Sequence, residues 1–139
     1  MLIGEYAHTL DQKGRVNFPA KLLIDLGDRF ILSKGLDGCL FVYSAEEWGN
    51  LEKKIKELPL SKSRTLQRYF FAGAAEVEVD KQGRIVIPAK LREHAGLEKE
   101  IMIIGASSRA EIWNKERWSQ NCQELTDETI EQAMEELGF

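Results

Sequence analysis

The sequence predicts an α+β fold, mainly β, in which two tandem copies of one small unit share a single core. Three observations predict it. A twelve-residue segment occurs twice, short apolar runs bracketed by Pro and Gly follow each copy, and strand-like apolar runs flank both. At an offset of 69, Asp11-Gln-Lys-Gly-Arg-Val-Asn-Phe-Pro-Ala-Lys-Leu22 faces Asp80-Lys-Gln-Gly-Arg-Ile-Val-Ile-Pro-Ala-Lys-Leu91, with seven of the twelve positions identical. Gly4 matches Gly73 and Gly27 matches Gly96. After a one-residue shift, Tyr43 and Trp48 match Trp113 and Trp118. The repeating unit is about 45 residues long. That is too small to bury a core alone without metal or disulfides, so the halves are expected to interleave into one pseudo-two-fold β-barrel.

Each unit reads in the same order. Strand-like runs at 6–10 and 76–79 lead into an Asp-x-x-Gly-Arg turn, and strands at 16–18 and 85–87 leave it. In the second copy Glu76, Glu78 and Asp80 fall on one face and Val77 and Val79 on the other, the period-two signature of a half-buried strand. Pro19 and Pro88 suit a first helical position, where the missing N–H has no partner to lose. Gly27 and Gly96 suit the left-handed residue after a helix, which predicts short helices at 19–26 and 88–95. Strands follow at 29–33 and 39–43, and again at 101–104 and 111–113. Between the units, Trp48, Leu51, Ile55 and Leu58 recur at helical spacing and end at Pro59, and 61–71 can form a second amphipathic helix. Residues 125–138 read as an acidic helix with Ile130, Met134 and Leu137 on one side and Thr126 as its cap, Asp127 and Glu128 lying in the first turn. That helix is expected to pack on the body or on a neighbouring subunit. The organisation read from the chain is therefore a first unit at 1–50, a helical basic linker at 51–71, a second unit at 72–118 and an acidic C-terminal helix at 119–139.

Composition narrows the class. Of the 139 residues, 43% are hydrophobic and 30% charged, and no run approaches the roughly 18 apolar residues of a bilayer span. The N-terminal stretch lacks the basic and apolar regions of an export signal, so a cytoplasmic protein is expected. Cys39 and Cys122 are far apart and read as free thiols. With His8 and His94 they match no usual zinc spacing, and neither a metal nor another cofactor is expected. The formal net charge is −4, unevenly spread: residues 52–68 hold six basic and two acidic side chains, and residues 116–139 one basic and seven acidic. Any nucleic-acid surface must then be a local patch. Phosphate-loop, dinucleotide and nucleophile-elbow motifs are absent. No catalytic residue and no small-molecule substrate are assigned.

The chemistry concentrates in the duplicated turn. Asp11 and Asp80 can accept hydrogen bonds from backbone N–H groups further along, and Gly14 and Gly83 supply positive φ, so all four are expected to shape the loop. A turn needs no Arg at its exit, yet both copies have one. An exposed Asp–Arg pair alone contributes only about 0–1 kcal/mol. Arg15 and Arg84 therefore read as pre-organised guanidinium groups for phosphate or for guanine O6 and N7, a two-pronged geometry that Lys cannot reproduce. Lys13 and Lys81, on the same turns, read as phosphate contacts. Lys21 and Lys90 read equally well as solvated or as adding charge beside the loops. His94, near a helix C-terminus, is expected to favour its charged form.

Asp-x-x-x-Arg followed by a strand and Pro-Ala-Lys-Leu resembles the AbrB/SpoVT family of swapped-hairpin DNA-binding domains. Two such units in register, starting almost at Met1 and joined by a basic linker with "RTLQRYFFAGA" at 64–74, resemble the MraZ family of bacterial regulators, with likeness over 2–48, 64–74 and 76–118. The resemblance implies a swapped-hairpin, double-psi-like barrel that assembles into a homo-oligomeric ring. It also implies a repressor that binds short G-containing direct repeats in double-stranded DNA upstream of the division and cell-wall gene cluster, including its own promoter. The family's motif falls on Asp11/Arg15 and Asp80/Arg84, both intact. An antitoxin of the same superfamily, an enzyme using paired Asp11 and Asp80, and a purely structural ring remain as other readings at this point.

Overall fold

A computed structural model describes residues 1–138. The protein is α+β, with mostly antiparallel sheet. Among the described residues the order is β1 (Leu2–Thr9), β2 (Arg15–Asn17), α1 (Ala20–Leu26), β3 (Arg29–Lys34), β4 (Leu40–Tyr43), α2 (Ala45–Lys56) and α3 (Leu60–Phe70). The second half follows with β5 (Ala75–Glu78), β6 (Arg84–Val86), α4 (Ala89–His94), β7 (Glu100–Ser107), β8 (Ala110–Asn114), α5 (Lys115–Gln123) and α6 (Asp127–Glu135).

Six strands form one antiparallel sheet in the order β1-β7-β8-β4-β3-β5, while β2 and β6 pair with each other in a separate two-stranded ribbon. Exchanging the halves reverses this order onto itself, so the sheet carries the pseudo-two-fold relation of the repeat. Each half sends its first strand to the other half: β1 pairs with β7, and β5 pairs with β3. The registers agree across the two copies, His8 lying opposite Ile101 as Val77 lies opposite Phe30. The strands do not close into the expected barrel. With β1 and β5 as its edges, the six-stranded sheet is open. β2 and β6 are only three residues long, each held between a glycine turn and a proline, too short to bridge those edges.

The sheet is covered on both faces. Along β4, Leu40 and Val42 point into one core with Val16, Phe18, Leu22, Phe30, Ile85, Ile87, Leu91 and Ile103, so the ribbon, α1 and α4 pack on that face. Phe41 and Tyr43 point the other way, into a second cluster with Ile55, Phe70 and Trp113 under α2 and α3. Alternation along a strand thus feeds two cores, and each fully buried aliphatic or aromatic side chain contributes about 1.5–3 kcal/mol. The matched aromatic pairs do equivalent work in the two halves. Tyr43 packs on Trp48 at 5.5 Å between centroids, and Trp113 on Trp118 at 5.4 Å. Glu111 is buried but neutralised, accepting from Arg109 Nε at 2.9 Å and Trp113 Nε1 at 3.0 Å.

Local chemistry sets the helix starts. All three prolines stand just before a helix rather than inside its first turn, with extended ψ of 122°, 145° and 147° at Pro19, Pro59 and Pro88. Their carbonyls receive the first helical N–H groups, as from Leu22 to Pro19 at 3.0 Å and from Arg92 to Pro88 at 3.0 Å. The expected first-turn position is therefore corrected by one residue. Gly27 and Gly96 take positive φ of 79° and 59° just beyond α1 and α4. The expected 119–139 helix is split in two: α5 starts earlier, at Lys115 within the expected second unit, and breaks after Gln123, before α6. The helix α5 is the counterpart of α2, started by Asn114, whose side chain accepts from the Arg117 N–H at 3.0 Å as Ser44 does from Glu47 at 3.2 Å. Thr126 caps α6 as expected, accepting from the Thr129 N–H at 3.2 Å. Phe139, the end of the expected 119–139 segment, lies outside the described residues.

The exchange of β1 onto β7 leaves no room at Gly105, where an added Cβ would land on the Ile3 nitrogen and the Leu2 carbonyl carbon. Gly105→Ala should therefore destabilise the fold by about 1–3 kcal/mol, the cost of forced overpacking. At Gly49, inside α2 with nothing near an added Cβ, Ala should stabilise by about 0.5–1 kcal/mol. Urea unfolding of the two variants checks both signs.

Candidate nucleic-acid interface

The duplicated turns are built identically from their aspartates. Asp11 Oδ1 accepts from the backbone N–H of Lys13 at 2.9 Å and of Arg15 at 2.8 Å, while Oδ2 accepts from Arg15 Nε at 2.7 Å. Asp80 repeats this with Gln82 N–H at 2.8 Å, Arg84 N–H at 2.9 Å and Arg84 Nε at 3.1 Å. The Gly14 N–H donates to the Asp11 carbonyl and the Gly83 N–H to that of Asp80, each at 3.0 Å, with φ of 81° and 80° at the glycines. An L side chain is strained there. At Gly14 a Cβ would also meet the Ile87 carbonyl and the Arg92 guanidinium, whereas Gly83 faces open space.

The ribbon joins the turns. Arg15 lies opposite Val86, Val16 opposite Ile85 and Asn17 opposite Arg84. Val16 and Ile85 are 1% exposed, so strand alternation turns Arg15, Asn17, Arg84 and Val86 together onto the outer face. The two arginines are diagonal neighbours, about 7–8 Å apart. The ladder continues into the turns, Phe18 N–H donating to the Gly83 carbonyl at 2.9 Å and Ile87 N–H to the Gly14 carbonyl at 2.8 Å. Each turn is thus fastened to the strand of the other copy, one at each end of the ribbon.

The side chains of Arg15 and Arg84 are 37% and 32% exposed. Each has its Nε on its own aspartate, which leaves the terminal nitrogens without a hydrogen-bond partner among the described residues. Lys13 and Lys81 are exposed, but they are not equivalent: Lys13 is the third residue of its turn and Lys81 the second. Lys21 and Lys90 are exposed on the short helices. Both carboxyls lie below the ordinary aspartate range, held there by the Arg15 N–H and guanidinium at Asp11, and by the Arg84 and Gln82 N–H groups at Asp80. Anchored at opposite ends of the ribbon and kept ionised, the two aspartates do not form a catalytic carboxylate pair.

Two readings need correction or addition. Burial first, and then the Lys34 charge, push His94 toward its neutral form, which outweighs the helix-end effect expected to charge it. It packs edge-on against Tyr69 at 6.3 Å. Arg92 was not identified from sequence. Its guanidinium backs the first turn beside Gly14, where the first copy has Leu23. That departure from the repeat was the available signal. Cys39 is buried and Cys122 exposed, both free, and burial raises the Cys39 thiol to about 12.

Comparison with known proteins bears on the same duplication. The family described as "MraZ protein, putative antitoxin-like" matches the chain twice, over residues 1–68 and 70–138. The chain belongs to the MraZ family. Proteins named "Transcriptional regulator MraZ" are similar over their whole length, with 57% identity in Thermoanaerobacter pseudethanolicus and 56% in Caldicellulosiruptor bescii, each covering 100% of both chains. One from Heliobacterium modesticaldum is 60% identical over 86% of this chain and 85% of its own. The two matched stretches of the MraZ family begin 69 residues apart, the same offset that relates the two turns. No described helix is long and apolar enough to cross a membrane.

The depressed carboxyls set a pH dependence. Because each folded-state pKa lies below the unfolded value, the stabilisation of the turn is present above the ordinary aspartate range and is lost as pH falls through the lower, folded value. NMR titration should place both carboxyl midpoints below 3.8, with the amides of Lys13, Arg15, Gln82 and Arg84 shifting in step. Asp11→Asn should abolish the shift in the first turn and leave the second intact.

Proposed function

We propose that the chain is a transcriptional regulator that binds double-stranded DNA through the outer face of the β2–β6 ribbon. The observation that carries this is the pair of aspartate-clamped arginines, Arg15 and Arg84, side by side on one exposed two-stranded ribbon. A major groove roughly 12 Å wide admits such a ribbon, and a guanidinium held in a fixed plane suits the O6 and N7 of guanine. Lys13 and Lys81 contact phosphates, and Asp11, Asp80, Gly14 and Gly83 hold the arginines in place. The names of the MraZ relatives support the regulatory role. The antitoxin-like wording of the family description fits less well, because this chain has two complete turns.

The finer reading follows from the AbrB/SpoVT likeness. Two swapped-hairpin units, at 1–50 and 72–118, are joined by the 51–71 linker and followed by the 119–139 tail. The protein acts in the cytoplasm on nucleoid DNA, as a repressor at G-containing direct repeats upstream of the division and cell-wall gene cluster, its own promoter included. One ribbon offers only a few contacts, so affinity from a single subunit is weak and strongly salt-dependent. Assembly into a homo-oligomeric ring sets several ribbons against several repeats, and avidity makes up the difference.

Arg15→Ala combined with Arg84→Ala tests the assignment. Each good two-pronged base contact is worth about 1–3 kcal/mol, so binding to a repeat-containing fragment from upstream of the protein's own gene should weaken roughly 100-fold or more by gel shift. Substitution by Lys should recover little of it. A correctly folded double-Ala variant that binds as tightly as wild type at physiological salt overturns the assignment.

A further inference from the structure

We propose that the acidic helix α6 docks on the basic tip of the α2–α3 hairpin of a second copy of this chain. The proposal deepens the self-association argued above and rests on it. α6 is nine residues long and exposes Ile130 (43%), Met134 (37%) and, just beyond it, Leu137 (72%) along one side. A helix this short is marginal in water unless something covers its apolar face, and from Gln123 to Gly138 every described residue of the tail is exposed. Among the described residues, none of Asp127, Glu128, Glu131 and Glu135 forms an ion pair.

The hairpin tip has the complementary character. Leu58 and Leu60, 39% and 73% exposed, sit among Lys56, Lys62 and Arg64. Of the six basic side chains at 52–68, Lys56 alone has an acidic partner among the described residues, Glu52 at 3.5 Å. The other exposed apolar positions are worse matched to an acidic helix. Ile24 is followed by Asp25, Leu36 by Asp37, and Ile3 lies two residues from Glu5. Val86 shares its ribbon face with the two arginines. Residues 56–64 at the tip carry three basic side chains and one acidic, Glu57, around two uncovered leucines. A contact from the tail of one copy to the hairpin of the next is head-to-tail, the kind that closes into rings.

Two helix-compatible charge reversals test this. Glu131→Lys with Glu135→Lys places cations toward the C-terminal end of α6, and Lys62→Glu with Arg64→Glu places anions near the N-terminal end of α3, each favoured by the helix dipole. Sedimentation without DNA, over a range of protein concentration, should show each variant dissociating roughly tenfold more readily than wild type. An equimolar mixture of the two should reassemble, since each altered tail then meets an altered hairpin. Ile130→Asp should also dissociate the protein and should not be rescued by mixing. Unchanged assembly of either charge variant, or a mixture that stays dissociated, overturns the docking surface. A wild-type chain that is monomeric at every concentration overturns it together with the self-association it rests on. DNA binding by the ribbon is read separately.

Discussion

The fold depends on one exchange: the first strand of each half is hydrogen-bonded to the other half's sheet. Without β1, the edge of β7 is unpaired, and without β5, the same is true of β3. Among the described residues the two cysteines are free and no cluster of side chains is suited to hold a metal ion. A unit of about 45 residues cannot bury enough apolar surface to offset its chain entropy. Exchange solves this by giving two small units one continuous sheet with a core on each face. It also explains the close approach of Gly4 and Gly105 and the symmetric strand order.

The ribbon follows from the same meeting of the two copies. Val16 and Ile85 are buried opposite each other because the two copies meet there, and strand alternation then has no choice but to turn Arg15 and Arg84 outward together. Each aspartate does two jobs with two oxygens. One closes the turn on backbone N–H groups and the other holds the guanidinium. Each guanidinium is thus held by a carboxylate of its own turn.

The departures from symmetry matter as much as the repeat. Arg92 replaces Leu23 and braces only the first turn. α2 continues into the basic hairpin with α3, whereas its counterpart α5 continues into the acidic α6. A duplicated gene segment would begin with equal halves. Here the halves differ in charge at equivalent ends, basic after α2 and acidic after α5.

Much of this was legible in the chain itself. The duplication, the proline and glycine brackets of α1 and α4, the clamping role of Asp11 and Asp80, and the paired arginines all follow from residue types at fixed spacing, because turns and helix ends are governed by neighbours in sequence. The start of α5 escaped notice because its apolar spacing is weak and Asn114 is a less conspicuous start than a proline. What only the tertiary structure decided is long-range. It settled which strand pairs with which and left the sheet open rather than closed. It pushed His94 toward its neutral form by burial, put Arg92 beside Gly14, and set the two arginines on one face. The partners of β1 and β5 lie 43 to 105 residues away in the chain, and no local pattern encodes them.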